Sequence, residues 1–348
     1  FEEALAAYDE EDSVEIHWEM GHDRTSRFRT THTTWPPEET ETWELYCQPD
    51  GRLTESPPAD ASSESSSYEF EPTGAIVQPV GTDDEGRLKW TQLDEGNHVA
   101  FVSEALSTDR VCLGSAMAEL WLKSSATDTD LAVTISEVRP DGKEMYVQTG
   151  WLRASHRVVD DERSKPRRPW HTHLPADQEM LPDDEFVRTQ VEIFPFGHAF
   201  REGSRVKLTV ENPGGNRSRW GFQVVDTAAT NEIGHTDAMP SRLALPELPD
   251  TDAGAADRPD CGAVRHQPCR PVTLDNIIDR SDDGDGTDGG DDGTDGGNES
   301  DGGNASDNES DGSDGSGPGF GIGATLAGLG GAGYLLRRRL GETDDTEK

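Results

Sequence analysis

Lysine is nearly missing from this chain: of 348 residues only Lys89, Lys123, Lys143, Lys165, Lys207 and Lys348 carry it. Lys plus Arg reach 31 against 70 Asp plus Glu, a formal net charge of −39. A phosphate backbone is bound by clustered cations, and here they would sit in a strongly repulsive field, so a nucleic-acid partner is excluded. An acidic, lysine-poor surface suits a high-salt environment, where dense counterions screen the self-repulsion that loosens it at low ionic strength. Apolar side chains are also scarce at 31%, but the 37 glycines bring the share close to that of globular domains, so a core can form.

Cysteine is sparing too, with Cys47, Cys112, Cys261 and Cys269. The last two, with seven residues between them in a Gly- and Pro-containing stretch, can close a small loop by a disulfide in an oxidising exterior. A metal site on Cys261, His266 and Cys269 lacks both the C-x2-C spacing and a fourth ligand, so no metal is expected there. No G-x-S-x-G occurs anywhere, and nothing near Phe1 resembles a charged n-region followed by an apolar h-region. A start at Phe without an export signal reads as a truncated N-terminus.

Uncharged sequence of any length is confined to the C-terminal end. Residues 319–336 are rich in Gly, Ala, Leu and Ile, and Arg337, Arg338 and Arg339 follow at once. At about 1.5 Å per residue a helix of this run spans roughly 27 Å, enough for a thin bilayer. Arginines on one flank only should remain cytoplasmic, which places everything before Pro318 outside the cell. Ahead of it, residues 281–316 are a low-complexity run of Asp, Gly, Asn, Ser and Thr that cannot bury surface and is extended by like charge. Thirteen acidic residues and no basic one lie between positions 281 and 320, so of the net −39 a net −26 belongs elsewhere. This segment reads as a disordered stalk. Asn216, Asn298, Asn304 and Asn308 each open an N-x-S sequon and are candidate glycosylation sites. Calcium-binding nonapeptide repeats are ruled out because their apolar position is missing.

The middle of the chain alternates with period two. Ala116, Ala118, Leu120 and Leu122 are interleaved with Met117, Glu119, Trp121 and Lys123; Leu131, Val133 and Ile135 are interleaved with Ala132, Thr134 and Ser136. These predict half-buried strands. Pro140, Asp141 and Gly142 mark a turn, and further strands are expected over 145–152, 187–193, 206–210 and 222–225. No long amphipathic helix competes, so the domain is expected to be all-β, a sandwich or jelly roll.

Two stretches resemble known families. Pro318, Gly319, Phe320 and Gly321, then the apolar run, then the arginine cluster, are similar to the archaeal PGF C-terminal sorting signal. The resemblance implies recognition by an archaeosortase, removal of the segment and its replacement by a lipid anchor on the outer face of the cell. If it is not processed, the same run serves as a transmembrane anchor.

The second resemblance is carried by 124–131, 138–142 and the run Gly150, Trp151, Leu152, Arg153, Ala154, Ser155, His156, Arg157. Pro195, Gly197, His198, Gly203 and Arg205 agree with it, as do Phe101, Ser103 and Leu106, and upstream Trp35–Pro37, Leu45, Tyr46, Gly51, Leu53, Tyr68, Phe70 and Pro72. Over roughly 14–245 the chain resembles the C-terminal domain of X-Pro dipeptidyl-peptidases and cocaine-esterase-like serine hydrolases. That family implies a galactose-binding-like jelly roll packed against an α/β-hydrolase domain whose Ser, Asp and His form the catalytic triad. The triad would precede the Trp-Pro-Pro region, and only 34 residues stand before Trp35.

The divisions that follow are a hydrolase remnant over 1–36, the jelly roll over 37–248, a Cys-containing connector and stalk over 249–317, and the sorting signal over 318–348. No catalytic, cofactor or metal residue is assigned. His22 follows a strand over 14–20 and reads as a surface or packing histidine. His171 and His173 form an H-x-H pair that would hold a metal only if a carboxylate such as Asp177 joined it, and a solvated loop is preferred. Arg153, His156 and Arg157 read as structural, with Arg153 pairing to Asp130 or Asp141. The chain is thus expected to be the non-catalytic part of a surface-anchored serine hydrolase whose partners are an α/β-hydrolase domain of the same parent chain, an archaeosortase and a membrane or lipid anchor. The alternative is a stand-alone surface module that binds glycan or protein.

Overall fold

The computed structural model describes residues 14–19, 26–59, 64–72, 80–82, 88–90, 94–213, 224–252, 260–262, 267–272 and 333–334. Strands dominate them. The first part contributes β1 (Val14–Glu19), β2 (Ser26–His32), β3 (Glu41–Cys47), β4 (Arg52–Thr54), β5 (Ser65–Phe70), β6 (Val80–Thr82), β7 (Leu88–Trp90) and β8 (His98–Ser103). There follow β9 (Arg110–Ser124), β10 (Asp130–Val138), β11 (Lys143–Arg153), β12 (Val187–Phe200), β13 (Arg205–Glu211), β14 (Ala229–Gly234), β15 (Arg242–Glu247), β16 (Cys269–Pro271) and β17 (Gly333–Tyr334). Two short 3-10 turns, Ala154–His156 and Pro175–Asp177, are the helical elements among the described residues.

The strands form a β-sandwich. One layer runs β16-β11-β10-β13-β8; the other is built on β9, which pairs β12 along one edge and β15 then β14 along the other, with β3 beyond β15 and β5 beyond β14. β4 closes one side, pairing antiparallel with β3 and parallel with β8. Alternation drives this arrangement: Val206, Leu208 and Val210 of β13 and Leu131, Val133 and Ile135 of β10 turn inward against Leu120, Leu122, Val191 and Ile193 of the facing layer, all of them fully buried. Each such side chain contributes about 1.5–3 kcal/mol relative to exposure.

The strands expected over 116–122, 131–135, 145–152, 187–193 and 206–210 are present. One expectation about them fails. β10 is buried on both faces along its whole length, not half-buried, because Thr134 and Ser136 lie under a second, polar layer described below. The strand expected over 222–225 is not formed at Val224 and Val225, and 222–223 lie outside the described residues.

β1 and β2 pair as an antiparallel hairpin. It is seated on the sandwich through Val14, Ile16 and Trp18, which share a buried cluster with Val111, Leu113, Ala199 and Leu248. Trp18 stacks on Phe28 with ring centroids 5.1 Å apart. Among the described residues no helix is long and apolar enough to cross a membrane. Of the run 319–336 only Gly333 and Tyr334 are described, and they are extended and paired with Ile16 and His17 rather than helical. Glycine-rich sequence has low helix propensity in water; a bilayer, which forces backbone groups to pair internally, is what would impose the helix. Pro318, Gly319, Phe320, Arg337, Arg338, Arg339, Asn216, Asn298, Asn304, Asn308 and His22 all lie outside the described residues.

Candidate functional site

The serine, acid and histidine of hydrolytic chemistry meet where β10, β12 and the start of β13 converge, but in an arrangement that cannot perform it. Ser204 Oγ donates to Glu137 Oε1 at 2.6 Å, and His198 Nε2 lies 3.0 Å from Glu137 Oε2. Gln267 Nε2 donates to His198 Nδ1 at 3.3 Å. A nucleophilic serine must hand its proton to the imidazole, with the carboxylate behind it. Here the hydroxyl is directed at the carboxylate, and all three groups are buried. The cluster ties three strands together.

The run 150–157 forms the end of β11 and the turn after it. Gly150 faces β12 so closely that a Cβ there would stand 2.8 Å from the carbonyl carbon of Glu192 and 2.9 Å from Cα of Ile193. Trp151 lies against Phe194, ring centroids 5.4 Å apart. Arg153 forms a two-pronged pair with Asp130, Nε to Oδ1 at 2.8 Å and Nη2 to Oδ2 at 3.1 Å, and this bonding raises the guanidinium's pKa. Asp130 Oδ2 also accepts the Val225 amide at 2.7 Å. Asp141 pairs with Arg139 instead. One turn on, Asp128 accepts the Ser155 amide at 2.9 Å and its hydroxyl at 2.7 Å, while Arg157 donates to the carbonyl and carboxylate of Glu179. The motif is therefore an anchor. It fixes the long connection 154–186, whose outer surface exposes Trp170, Leu174 and Met180. Arg153→Ala should lower stability by about 2 kcal/mol, because it strips a buried carboxylate of a charge-assisted pair. A thermal melt that matched the parent's would contradict this.

Beside the anchor is a cavity of about 260 Å³ lined by Asp130, Trp151, Arg153, His156 and His173, among others. His173, held at φ +53°, brings its ring to 5.5 Å from that of His156 and 5.9 Å from that of His171. Burial lowers the pKa of His171 and His173. Asp177 is engaged by the Thr172 hydroxyl at 2.6 Å and does not join the pair, and no group of three metal-ligating side chains occurs among the described residues. Cys261 and Cys269 are joined as a disulfide; Cys47 and Cys112 are free thiols, buried, with pKa values pushed up by burial.

The structure also holds a polar layer with no counterpart in the sequence reading. On the outer face of β10, β11 and β13, Glu144 accepts two hydrogen bonds from Arg270, 2.8 and 3.1 Å, with Lys207 Nζ 3.2 Å away and Ser136 Oγ at 2.7 Å. Trp90 covers Arg270 at 3.7 Å. The two cations and the bonds from Arg270 and Ser136 outweigh burial and hold the Glu144 carboxyl down at about 2. Glu211, fully buried next to it, goes the other way: burial lifts its pKa to about 7, opposed by a 2.9 Å bond from Thr134. The signal was present in the alternation of Lys207, Thr209 and Glu211 with Val206, Leu208 and Val210, but that pattern reads equally well as a wet face.

Comparison with known proteins gives two matches along the chain. The family described as the X-Pro dipeptidyl-peptidase C-terminal non-catalytic domain matches residues 7–219, and the PGF-CTERM motif matches residues 317–339. Proteins named as serine esterases in Mycobacterium bovis and Mycobacterium tuberculosis are each 25% identical over 230 residues, covering 62% of this chain and 35% of theirs. The chain thus spans about a third of the length of the curated relatives it matches. Among solved structures, a CocE/NonD family hydrolase from Staphylococcus aureus is similar at 21% identity and a TM-score of 0.49, covering 63% of this chain and 39% of that one. An aminopeptidase from a marine sediment Thaumarchaeota archaeon is similar at 18% identity and a TM-score of 0.49, covering 67% and 40%.

Proposed function

This chain belongs to the X-Pro dipeptidyl-peptidase C-terminal non-catalytic domain family, and on that footing we propose that it is the jelly-roll domain of a surface-anchored serine hydrolase, working beside an α/β-hydrolase domain of the same parent chain. The observation that carries the reading is the family match over 7–219. The buried, wrongly connected Ser204, Glu137 and His198 agree with it, since they offer no nucleophile. The whole enzyme would cleave peptides or esters through an acyl-enzyme intermediate formed in the partner domain. Given Ala-Pro or acyl chromogenic substrates in molar salt, the chain alone should show no turnover. Activity abolished by a serine-directed inhibitor would overturn the reading.

The PGF-CTERM motif marks C-terminal anchoring at the cell surface. Processing by an archaeosortase at Pro318, Gly319 and Phe320, with the apolar run helical in the bilayer and Arg337, Arg338 and Arg339 as its stop, is part of the proposal, as is the stalk over 281–316. The divisions at 36, 248 and 317 belong to it as well. The β1–β2 hairpin, on the remnant side of the division at 36, packs on Val111 and Leu248, so the remnant and the sandwich touch across that division.

A high-salt setting is proposed from the net −39. The melting temperature should climb by about 10 °C or more between ~0.2 and ~3 M KCl, because screening relieves repulsion among surface carboxylates faster than it weakens buried pairs such as Glu144–Arg270. A salt-independent melt would remove the argument for brine.

A further inference from the structure

Around the cavity at the base of the connection 154–186 the titratable side chains are paired, with two exceptions. Asp130 is held by Arg153, Asp128 by Ser155, Asp177 by Thr172 and Glu179 by Arg157, and His171 Nε2 lies 2.9 Å from the Gln190 carbonyl. The imidazoles of His156 and His173 make no hydrogen bond among the described residues. The two rings come from different places, the turn Ala154–His156 and the loop before Pro175, and both line the cavity, 5.5 Å apart. His173 reaches it from a left-handed backbone, φ +53°, that a non-glycine residue seldom takes. A strained position that carries a side chain points to a use for that side chain.

Composition argues for the charge of what enters. Asp plus Glu outnumber Lys plus Arg by 70 to 31 in the chain, yet the polar wall of this cavity sets Arg153, His156 and His173 against Asp130 alone. Asp130 already accepts two bonds from Arg153 and one from the Val225 amide, so its charge is answered. Left to themselves the two rings resist joint protonation: burial, and then the neighbouring His156, lower the pKa of His173. An oxyanion set between the rings reverses the second effect, because it attracts both. Leu131, Trp151 and Leu152 add an apolar wall, and the volume of about 260 Å³ is below that of drug-sized pockets. It admits a body of roughly ten non-hydrogen atoms. We propose that this cavity binds a small organic carboxylate with an apolar body, its oxyanion held between the imidazoles of His156 and His173 and its body against Trp151 and Leu152. The site concerns this chain alone and does not depend on the hydrolase reading.

Calorimetric titration of the full chain in molar KCl tests it. Sodium phenylacetate, ionised at pH 5.5 because that lies above the usual carboxyl range, should bind there at least about tenfold more tightly than at pH 8. Affinity is full while the rings are protonated and is lost as pH rises past the point where the complex gives up its protons. Phenylacetamide, which has the shape without the charge, and acetate, which has the charge without the body, should each bind at least about tenfold more weakly than phenylacetate at pH 5.5. Replacing both rings, His156→Gln with His173→Gln, should bring the affinity at pH 5.5 down to that at pH 8. The melt should stay within about 2 °C of the parent's, since neither ring is hydrogen-bonded. Proton resonances of the unsubstituted chain read the same site without a variant: with phenylacetate present, His173 should titrate at higher pH. Equal binding of acid and amide would mean an apolar slot only, and equal binding of acetate an unselective anion site. Either result overturns the proposal, as do the absence of both heat and shift and binding that survives loss of both rings.

Discussion

Replacing Gly150 by alanine should cost the chain its fold. The added Cβ would enter the carbonyl of Glu192 and press on Cα of Ile193. Those atoms are backbone, so no rotamer change makes room. Nor can β12 retreat, because Glu192 and Ile193 are paired with Met117 and Ala116 of β9, while Gly150 itself is paired with Val133 of β10. Overpacking against side chains costs about 1–3 kcal/mol, and here both layers would have to part. The penalty should exceed about 3 kcal/mol, a large share of the 5–15 kcal/mol that holds an ordinary domain together. Circular dichroism and soluble yield report it directly. An alanine variant that melts within about 5 °C of its parent would show that the two layers do not touch backbone to backbone.

The second large effect is a pH dependence with an unusual sign for a carboxylate. Burial raises Glu211 from an ordinary 4.5 to about 7. Below pH 4.5 the group is protonated whether the chain is folded or not, and it contributes no difference. Between 4.5 and 7 the folded protein keeps a proton that the unfolded chain has released, so stability falls as pH rises. Above 7 the full penalty applies, roughly 3 kcal/mol at 1.36 kcal/mol per unit. Glu211→Gln, which retains an acceptor for the Thr134 hydroxyl, should therefore be neutral at pH 4.5 and stabilise by about that amount at pH 8. Urea melts of both proteins at the two pH values measure it. Parallel profiles would sink the idea. Glu144 has the opposite sign, since its pKa is depressed to about 2 by Lys207 and Arg270: its contribution is complete above 4.5 and fades only as pH falls toward 2.

Much of the sandwich was legible because its inner faces obey period two without interruption, as in Ala116 to Leu122 and Val206 to Val210. Strands at the margins were harder. Trp43, Leu45 and Cys47 alternate over β3 and are buried, yet the segment opens on the exposed Glu41 and Thr42, which mask the pattern. In β14 and β15 the same difficulty arises, since Asn231, fully buried and bonded to Tyr68 and Thr129, looks like a loop residue until its partners are known. The polar layer could not be read, because nothing local distinguishes a lysine facing water from one facing Glu144. What decides it is Arg270, which lies 63 positions beyond Lys207 in the chain. Of the two partners offered for Arg153, only spatial register selects Asp130, directly opposite it across β10 and β11.

β9 is read from both edges at once. β12 follows it from Leu122 to Arg110, while β14 and β15 share the other side, and the pairing slips on both flanks around Gly114, whose φ of +132° puts a kink there. A residue gained or lost within this strand would throw three partners out of step together. Length should therefore be frozen along β9 wherever this architecture is inherited, and insertions and deletions should accumulate in the connection 154–186, where the chain is pinned at its base and answers to no ladder along most of its course.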